Sequence, residues 1–388
     1  MQVDVDAIAA ELDARLAETD AQLAARYPGE RAGRQPVHTV YVPADRYHAE
    51  LCPDWGAQAL DALNAHAQLF RDLLAGADAD GSEVADEQIE RVRRKLASEP
   101  IEDLRVDFED GYGPRTDDVE DTDVQRAAAA LAASAQGGSA PPFTGIRVKS
   151  FEAPTRRRGL RTFAGFMSAL CAGGGQLDGF VITLPKVTSV EQVHAMSYAC
   201  GEIETALGLG TGTLRFEIQV ETPQSILGPD GTALVARMVH ASSGRCSALH
   251  YGTYDYSAFC GIAAEYQSMA HPVADHAKLV MQAAAAGTGV RLSDGSTNIL
   301  PVGDAEAVRA GWQLHLQLVR RSLERGYYQG WDLHPAQLPS RFAATFGFYR
   351  DGLAQATDRL RRYVERSASA ILDEPATARA LADYLLRA

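Results

Sequence analysis

The chain has 388 residues, 46% of them hydrophobic, and a formal net charge of −14. That charge excludes a duplex-binding protein, which needs basic patches to neutralise phosphates, and no run reaches the roughly 18 apolar residues of a membrane-spanning helix. Five cysteines without a Cys-x-x-Cys pair argue against a disulfide framework or a zinc knuckle, so the composition predicts a cytoplasmic chain that uses neither nucleic acid nor membrane.

The acidic, alanine-rich start lacks the basic first residues and apolar run of a signal peptide. Residues 4–27 read as an amphipathic helix, with Ile8, Leu12, Leu16 and Leu23 near helical spacing. A Pro/Gly/Arg-rich link leads to a first strand, His38 to Pro43, which proline ends. A helix at 56–76, a loop at 77–82 and a helix at 87–97 then form an insert roughly twice as long as a usual βα connection. The second strand runs from Leu104 to Asp110 and breaks at Gly111-Tyr112-Gly113-Pro114. After a helix at 118–134, the third strand spans Gly145 to Phe151. A helix at 159–172, capped by Gly173 to Gly175, precedes a fourth strand from Gly179 to Lys186. Helix 189–206 leads to a strand ending at Glu221, where Thr222-Pro223 stops it, and helix 230–240 leads to one ending at Asp255. Helix 275–286, strand 289–294, helix 304–325 and strand 330–335 complete the alternation, and residues 338–388 are helical again.

Eight strands alternating with helices predict a parallel sheet, and eight units predict a closed (β/α)8 TIM barrel. The alternative is an open doubly wound sheet, but no strand is followed by Gly-x-Gly-x-x-Gly. The expected organisation is an N-terminal helix and linker at 1–37, a catalytic barrel at 38–345 with the long insert after strand one, and C-terminal helices at 346–388 that pack on the barrel or on a neighbouring subunit. In a barrel, Glu221 and Asp255 stand at the carboxyl ends of neighbouring strands, the face that carries the chemistry. Two hard oxygen ligands with open positions suit Mg²⁺, with Mn²⁺ as the alternative ion.

Seven blocks occur in a telling order: Val40-Tyr41-Val42-Pro43, Asp107-Phe108-Glu109-Asp110, Ile146-Arg147-Val148, Leu184-Pro185-Lys186, Val220-Glu221-Thr222, Gly252-Thr253-Tyr254-Asp255 and Leu333-His334-Pro335-Ala336-Gln337. Together, over about residues 38–345, they resemble the citrate lyase β-subunit-like (CitE-like) group of the HpcH/HpaI aldolase family, in the phosphoenolpyruvate/pyruvate barrel superfamily. The resemblance implies a Mg²⁺-dependent homo-oligomeric lyase that cleaves or forms a carbon–carbon bond through a metal-stabilised enolate of a 2-oxo acid. It implies Glu221 and Asp255 as metal ligands and Arg147 as the group that clamps the oxo acid and stabilises the enolate oxygen. Glu109 and Asp110 are candidate catalytic residues. Strand alternation would turn only one of them into the mouth.

Lys186 is expected to meet the substrate or pair with Glu221, a Schiff base being the lesser reading. Gly252, Thr253 and Tyr254 are candidates to lend backbone N–H groups to a substrate carboxylate. His250 reads as a core histidine, His334 as a turn residue, and Arg156 to Arg158 as surface. Ala44 stands where the family has glycine, and Lys149 where it often has asparagine. Both lie toward the far end of a substrate, which tilts the expected partner from a CoA thioester of the citryl- or malyl-CoA type toward a free oxo acid. A rival of another class is a barrel without turnover that serves as a binding subunit.

Overall fold

The computed structural model describes residues 3–75, 81–366 and 373–388. An N-terminal helix α1 (Val5–Arg26) precedes β1 (His38–Pro43) and the insert helices α2 (Leu51–Ala65), α3 (Ala67–Ala75) and α4 (Gly81–Ser98). The chain then alternates: β2 (Asp103–Asp107), α5 (Asp117–Gly137), β3 (Phe143–Arg147), α6 (Arg156–Ala172), β4 (Phe180–Leu184), α7 (Val190–Leu207) and β5 (Arg215–Val220). The short α8 (Pro223–Ile226) and α9 (Leu234–Ala241) lead to β6 (Cys246–Tyr251), and α10 (Thr253–Phe259) and α11 (Pro272–Ala285) lead to β7 (Arg291–Ser293). Helix α12 (Ala305–Glu324), β8 (Gly330–Asp332), α13 (Leu338–Glu365) and α14 (Pro375–Arg387) close the sequence.

All eight strands form one sheet in the order β7-β6-β5-β4-β3-β2-β1-β8, every pair parallel. A single parallel bridge between Ser293 and Gln329 joins the two ends, supported by Asp294 N–H donating to Gln329 O at 2.8 Å and Trp331 N–H to Gly295 O at 3.1 Å. The sheet is therefore a barrel, and the open-sheet alternative falls.

Seven of the eight strands end one to four residues earlier than the sequence patterning predicts. The acidic and small residues assigned to strand ends belong to the turns that follow. At β2 the Asp107 carboxylate accepts the N–H groups of Glu109 (2.9 Å) and Gly111 (3.0 Å), so the chain turns directly after it. The expected loop at 77–82 falls largely outside the described residues, and α4 already begins at Gly81.

The long insert has a packing role. Its residues Ala59, Leu63, Phe70, Ile89, Val92 and Leu96 form a second apolar core with Val308 and Trp312 of α12 and Leu338 and Phe342 of α13. Asp332, fully buried at the end of β8, ties this layer to the barrel: Arg341 donates to it at 2.9 Å, and His38 Nδ1 and His315 Nε2 approach it to 2.8 and 3.1 Å. Helix α13 thus docks on the barrel, and Tyr384 of α14 donates to Phe348 O at 2.7 Å. Helix α1 buries none of its residues; Ile8, Leu12, Leu16 and Leu23 are each about half exposed.

The barrel interior is polar where such barrels usually carry layers of branched aliphatics. Arg105 reaches across from β2 and donates to both carboxylate oxygens of Glu217, at 3.1 and 2.7 Å, and also pairs with Asp103. Thr183 and Tyr41 donate to Glu217 as well, and Thr39 donates to Asp103 at 2.8 Å. Gly145 on β3 leaves the space for this crossing: a Cβ there would lie 1.9 Å from Val181 O and 2.9 Å from the Arg105 side chain. Gly145→Ala is expected to cost about 2–3 kcal/mol, because a backbone carbonyl cannot move aside; the urea unfolding midpoint checks this, and an unchanged midpoint would contradict it.

Candidate active site

The carboxyl ends of β2 to β6 bring five of the expected residues together. Lys186 follows β4 in a left-handed backbone conformation, φ +51°, which turns its ammonium back over the barrel mouth. Its Nζ donates to Glu109 Oε1 at 2.7 Å, Asp110 Oδ2 at 2.8 Å and Asp255 Oδ2 at 3.3 Å, with Glu221 Oε1 at 4.0 Å. Four carboxylates thus converge on one cation. Glu109 and Asp110 both belong to this cluster. The expectation that alternation would separate them fails because β2 has ended two residues earlier.

Glu221 is buried just beyond β5, with both oxygens held: Oε1 accepts Lys186 N–H and Oε2 accepts the Gln219 side-chain amide, each at 2.7 Å. Burial pushes its carboxyl well above the usual carboxylate range; Lys186 counters that, and Glu109 and Asp255 add to it. Asp255 is 37% exposed. It does not end a strand as expected. Gly252 caps α10, and Asp255 lies in that helix's first turn, because β6 stops at Tyr251. Burial also raises the Glu109 carboxyl, against the opposing pull of Arg147 and Lys186. For Lys186, burial opposes the charged form, but Glu221, Glu109 and Asp110 outweigh it and hold the ammonium above its usual range.

Arg147 ends β3 beneath this cluster. Its Nε and Nη2 bind Asp107 in a fork at 2.7 and 2.6 Å, and its Nη1 lies 3.4 Å from both Gln219 Oε1 and Glu109 Oε2. The Tyr41 and Trp331 rings sit 4.7 and 5.5 Å from the guanidinium carbon. Part of the arginine is therefore structural, and Nη1 alone faces the cluster. Gly252 does not offer a free amide, since its N–H donates to Val220 O at 2.9 Å. Thr253 and Tyr254 occupy the first turn of α10, where backbone N–H groups lack helical partners. The Thr253 hydroxyl accepts Ser296 N–H at 3.2 Å, and the Tyr254 hydroxyl accepts Asn298 N–H at 2.5 Å.

Outside the cluster, His250 lies in the barrel with Nε2 3.1 Å from Glu217, and His334 caps its own turn by accepting Ala336 N–H. Lys149 pairs with Glu120 at 2.6 Å, so it does not face the mouth chemistry.

Asp107, Gln219, Tyr41 and Trp331 went unassigned in the sequence. Gln219 was accessible: two residues before Glu221 on one strand, it shares that residue's face. The fork from Asp107 to Arg147 had no comparable signal, because strand register is not written in either block.

The donor set fits a hard divalent cation. Four carboxylates face one ammonium, and Glu221 is buried among them. Among the described residues no group of three or more His, Cys, Asp or Glu side chains is arranged around a metal position. Glu221 and Asp255 alone are the ligand pair to consider, a number Mg²⁺ accepts because it keeps several waters.

A family model described as a domain of unknown function, DUF6986, matches residues 16–388. The chain belongs to the DUF6986 family. No curated protein matches it. Among solved structures, this DUF6986 member is similar to malate synthase of Haloferax volcanii in a magnesium/glyoxylate complex, at 14% identity and TM-score 0.52, covering 90% of this chain and 89% of that one. It is similar at 18% identity and TM-score 0.52 to CitE of Mycobacterium tuberculosis with magnesium, acetoacetate and coenzyme A, covering 90% and 96%. These likenesses show the barrel fold that the chain shares with those two proteins. The family model that matches is DUF6986, whereas the sequence blocks resemble HpcH/HpaI.

Proposed function

We propose that this DUF6986 member is a divalent-cation-dependent carbon–carbon lyase or aldolase acting on a 2-oxo acid of the pyruvate or glyoxylate type, the finer family assignment being CitE-like within HpcH/HpaI. The gathering of Glu221 and Asp255 about the Lys186 ammonium, in a cluster that Arg147 reaches through Glu109, carries this reading. Glu221 and Asp255 would hold Mg²⁺ or Mn²⁺, with Gln219 fixing the Glu221 carboxylate. The ion would supply Lewis-acid polarisation of the substrate carbonyl.

Arg147 Nη1 donates to the oxygen on which charge develops as the carbon–carbon bond breaks. Asp107 and the two flanking rings keep the guanidinium plane fixed, so that donor needs no reorganisation. The first-turn amides of Thr253 and Tyr254 bind the substrate carboxylate. Glu109 and Asp110 hold Lys186 and are carboxylates of this cluster able to take or return a proton. Five free cysteines agree with a reducing cytoplasm, and no helix among the described residues is long and apolar enough to cross a membrane. The proposal includes a homo-oligomer.

Removal of metal with EDTA should abolish release of pyruvate or glyoxylate from a panel of hydroxy-oxo acids, and Mg²⁺ should restore it. Turnover that survives EDTA would rule the proposal out. A second reading, a CoA-thioester lyase, is favoured by the neighbours solved with coenzyme A and acetyl-CoA. Adding malyl- and citryl-CoA to the panel and scoring acetyl-CoA release separates the two.

Ion pairs with Glu109, Asp110 and Asp255 favour the charged form of Lys186 over the free amine a Schiff base requires. Borohydride with pyruvate is expected to leave the intact mass of the protein unchanged; a stable adduct on Lys186 would show the opposite.

A further inference from the structure

We propose that the amino-terminal end of the barrel carries a binding site for a multiply charged oxyanion, a phosphate or a polycarboxylate, built by Arg31, Arg215, Arg291 and Arg387. Arg215 opens β5 and Arg291 opens β7, both at the end of the strands away from Glu221. The six residues of β5 put roughly 20 Å between the two ends. Arg31 belongs to the link between α1 and β1, which crosses beneath the barrel. Gly29 N–H donates to Gly287 O at 2.8 Å, and the Gln35 amide donates to Leu292 O at 3.2 Å. Arg387 ends α14 and reaches the same link, donating to Gln35 Oε1 at 3.1 Å.

Neutral groups hold these guanidiniums. Arg291 donates to the backbone carbonyls of Arg34 and Gly33, at 2.5 and 2.9 Å. Arg215 reaches Cys246 O at 3.5 Å, and its Nε is buried without a partner. Arg387 lies over the Tyr328 ring at 4.4 Å. Among the described residues none of the four makes an ion pair, whereas Arg34, in the same link, pairs with Glu99 and Glu102. Their charges meet at Arg291 and Arg215. Burial first, then Arg31, Arg387 and Arg215, pull Arg291 down to about 10, with Glu30 opposing them. Burial and Arg31 likewise lower Arg215.

In a chain of net charge −14, positive charge gathered without an ion pair and with an unused buried N–H is costly unless an anion completes it. Guanidinium forks match the planar, bidentate geometry of carboxylate and phosphate oxygens. The four arginines stand on separate segments, so one ligand with several charged oxygens would engage them together.

Calorimetric titration of the full chain with pyrophosphate and with citrate, at ionic strength fixed by sodium chloride, tests this without reference to catalysis. Binding of either or both is expected: pyrophosphate alone identifies a phosphate site, citrate alone a polycarboxylate site. Arg31 is exposed and unpaired, so Arg31→Gln should keep the fold while weakening binding roughly tenfold, the effect of one charge-assisted hydrogen bond. In anion-free buffer the same variant should melt no lower than wild type, because it relieves repulsion. No binding by wild type, equal binding by Arg31→Gln, or a lower melting temperature for that variant without anion would each overturn the site.

Discussion

Glu221→Gln is expected to lower metal-dependent turnover on the order of a thousandfold, the upper end of what loss of one preorganised polar group costs. The substitution keeps the size of the side chain and removes its charge. In the wild type both carboxylate oxygens are held, by Lys186 N–H and the Gln219 amide, and the side chain is buried. Glutamine presents one oxygen and one amide, so it must turn its NH2 toward one of two donors. Mg²⁺ affinity, measured by calorimetry alongside kcat, should fall with activity. Asp255→Asn should do less, since that carboxylate is partly exposed and water can replace it. Unchanged Mg²⁺ affinity in Glu221→Gln would mean that the cation binds elsewhere.

The second large effect concerns stability. Arg105→Met should cost about 3–5 kcal/mol, the range for breaking a buried ion pair from one side. That is a large part of the roughly 5–15 kcal/mol that holds a typical domain together. The variant leaves Glu217 and Asp103 facing each other in the barrel interior without their cation. Burial alone would raise the Glu217 carboxyl. Arg105 and His250 reverse this and hold it well below the usual carboxylate range. In the wild type that contribution is present above the unfolded carboxylate pKa and is lost only as pH falls through the depressed native one. Without Arg105 the sign inverts: the native state binds the proton more tightly than the unfolded chain, so the deficit should shrink from pH 8 to pH 5. Urea unfolding of both proteins at the two pH values measures this. A deficit constant with pH would show that lost packing, not stranded charge, sets the cost.

The alternation of eight strands and helices was legible because period-2 and period-3.6 patterning act locally. Strand ends were less so, since Glu109 and Asp110 sit in a turn fixed by the Asp107 carboxylate and Asp255 sits in the first turn of α10. The membership of Glu221, Asp255, Lys186 and Arg147 in one mouth followed from strand-end position. What each holds depended on pairing: that Asp107 occupies two of the Arg147 nitrogens, or that Lys186 gathers four acids, follows from register and rotamer. The insert after β1 looked like an anomaly of length, and its purpose emerged only with the second apolar core it shares with α12 and α13. The polar barrel interior was visible as Arg105 and Glu217 at strand positions, yet nothing in either segment names the other as partner.

Seven of the barrel's edges are stitched along several residues, and the eighth is tacked by the Ser293–Gln329 bridge and its neighbours. Such a cylinder should breathe along that seam before anywhere else, with the amides of Leu292 and Trp331 trading their hydrogens for solvent deuterium sooner than those of β3 and β4. Asp255 follows β6, one stave in from the gap, and Glu221 follows β5, one stave further, so the rim should flex more beside its more exposed acid than beside Glu221.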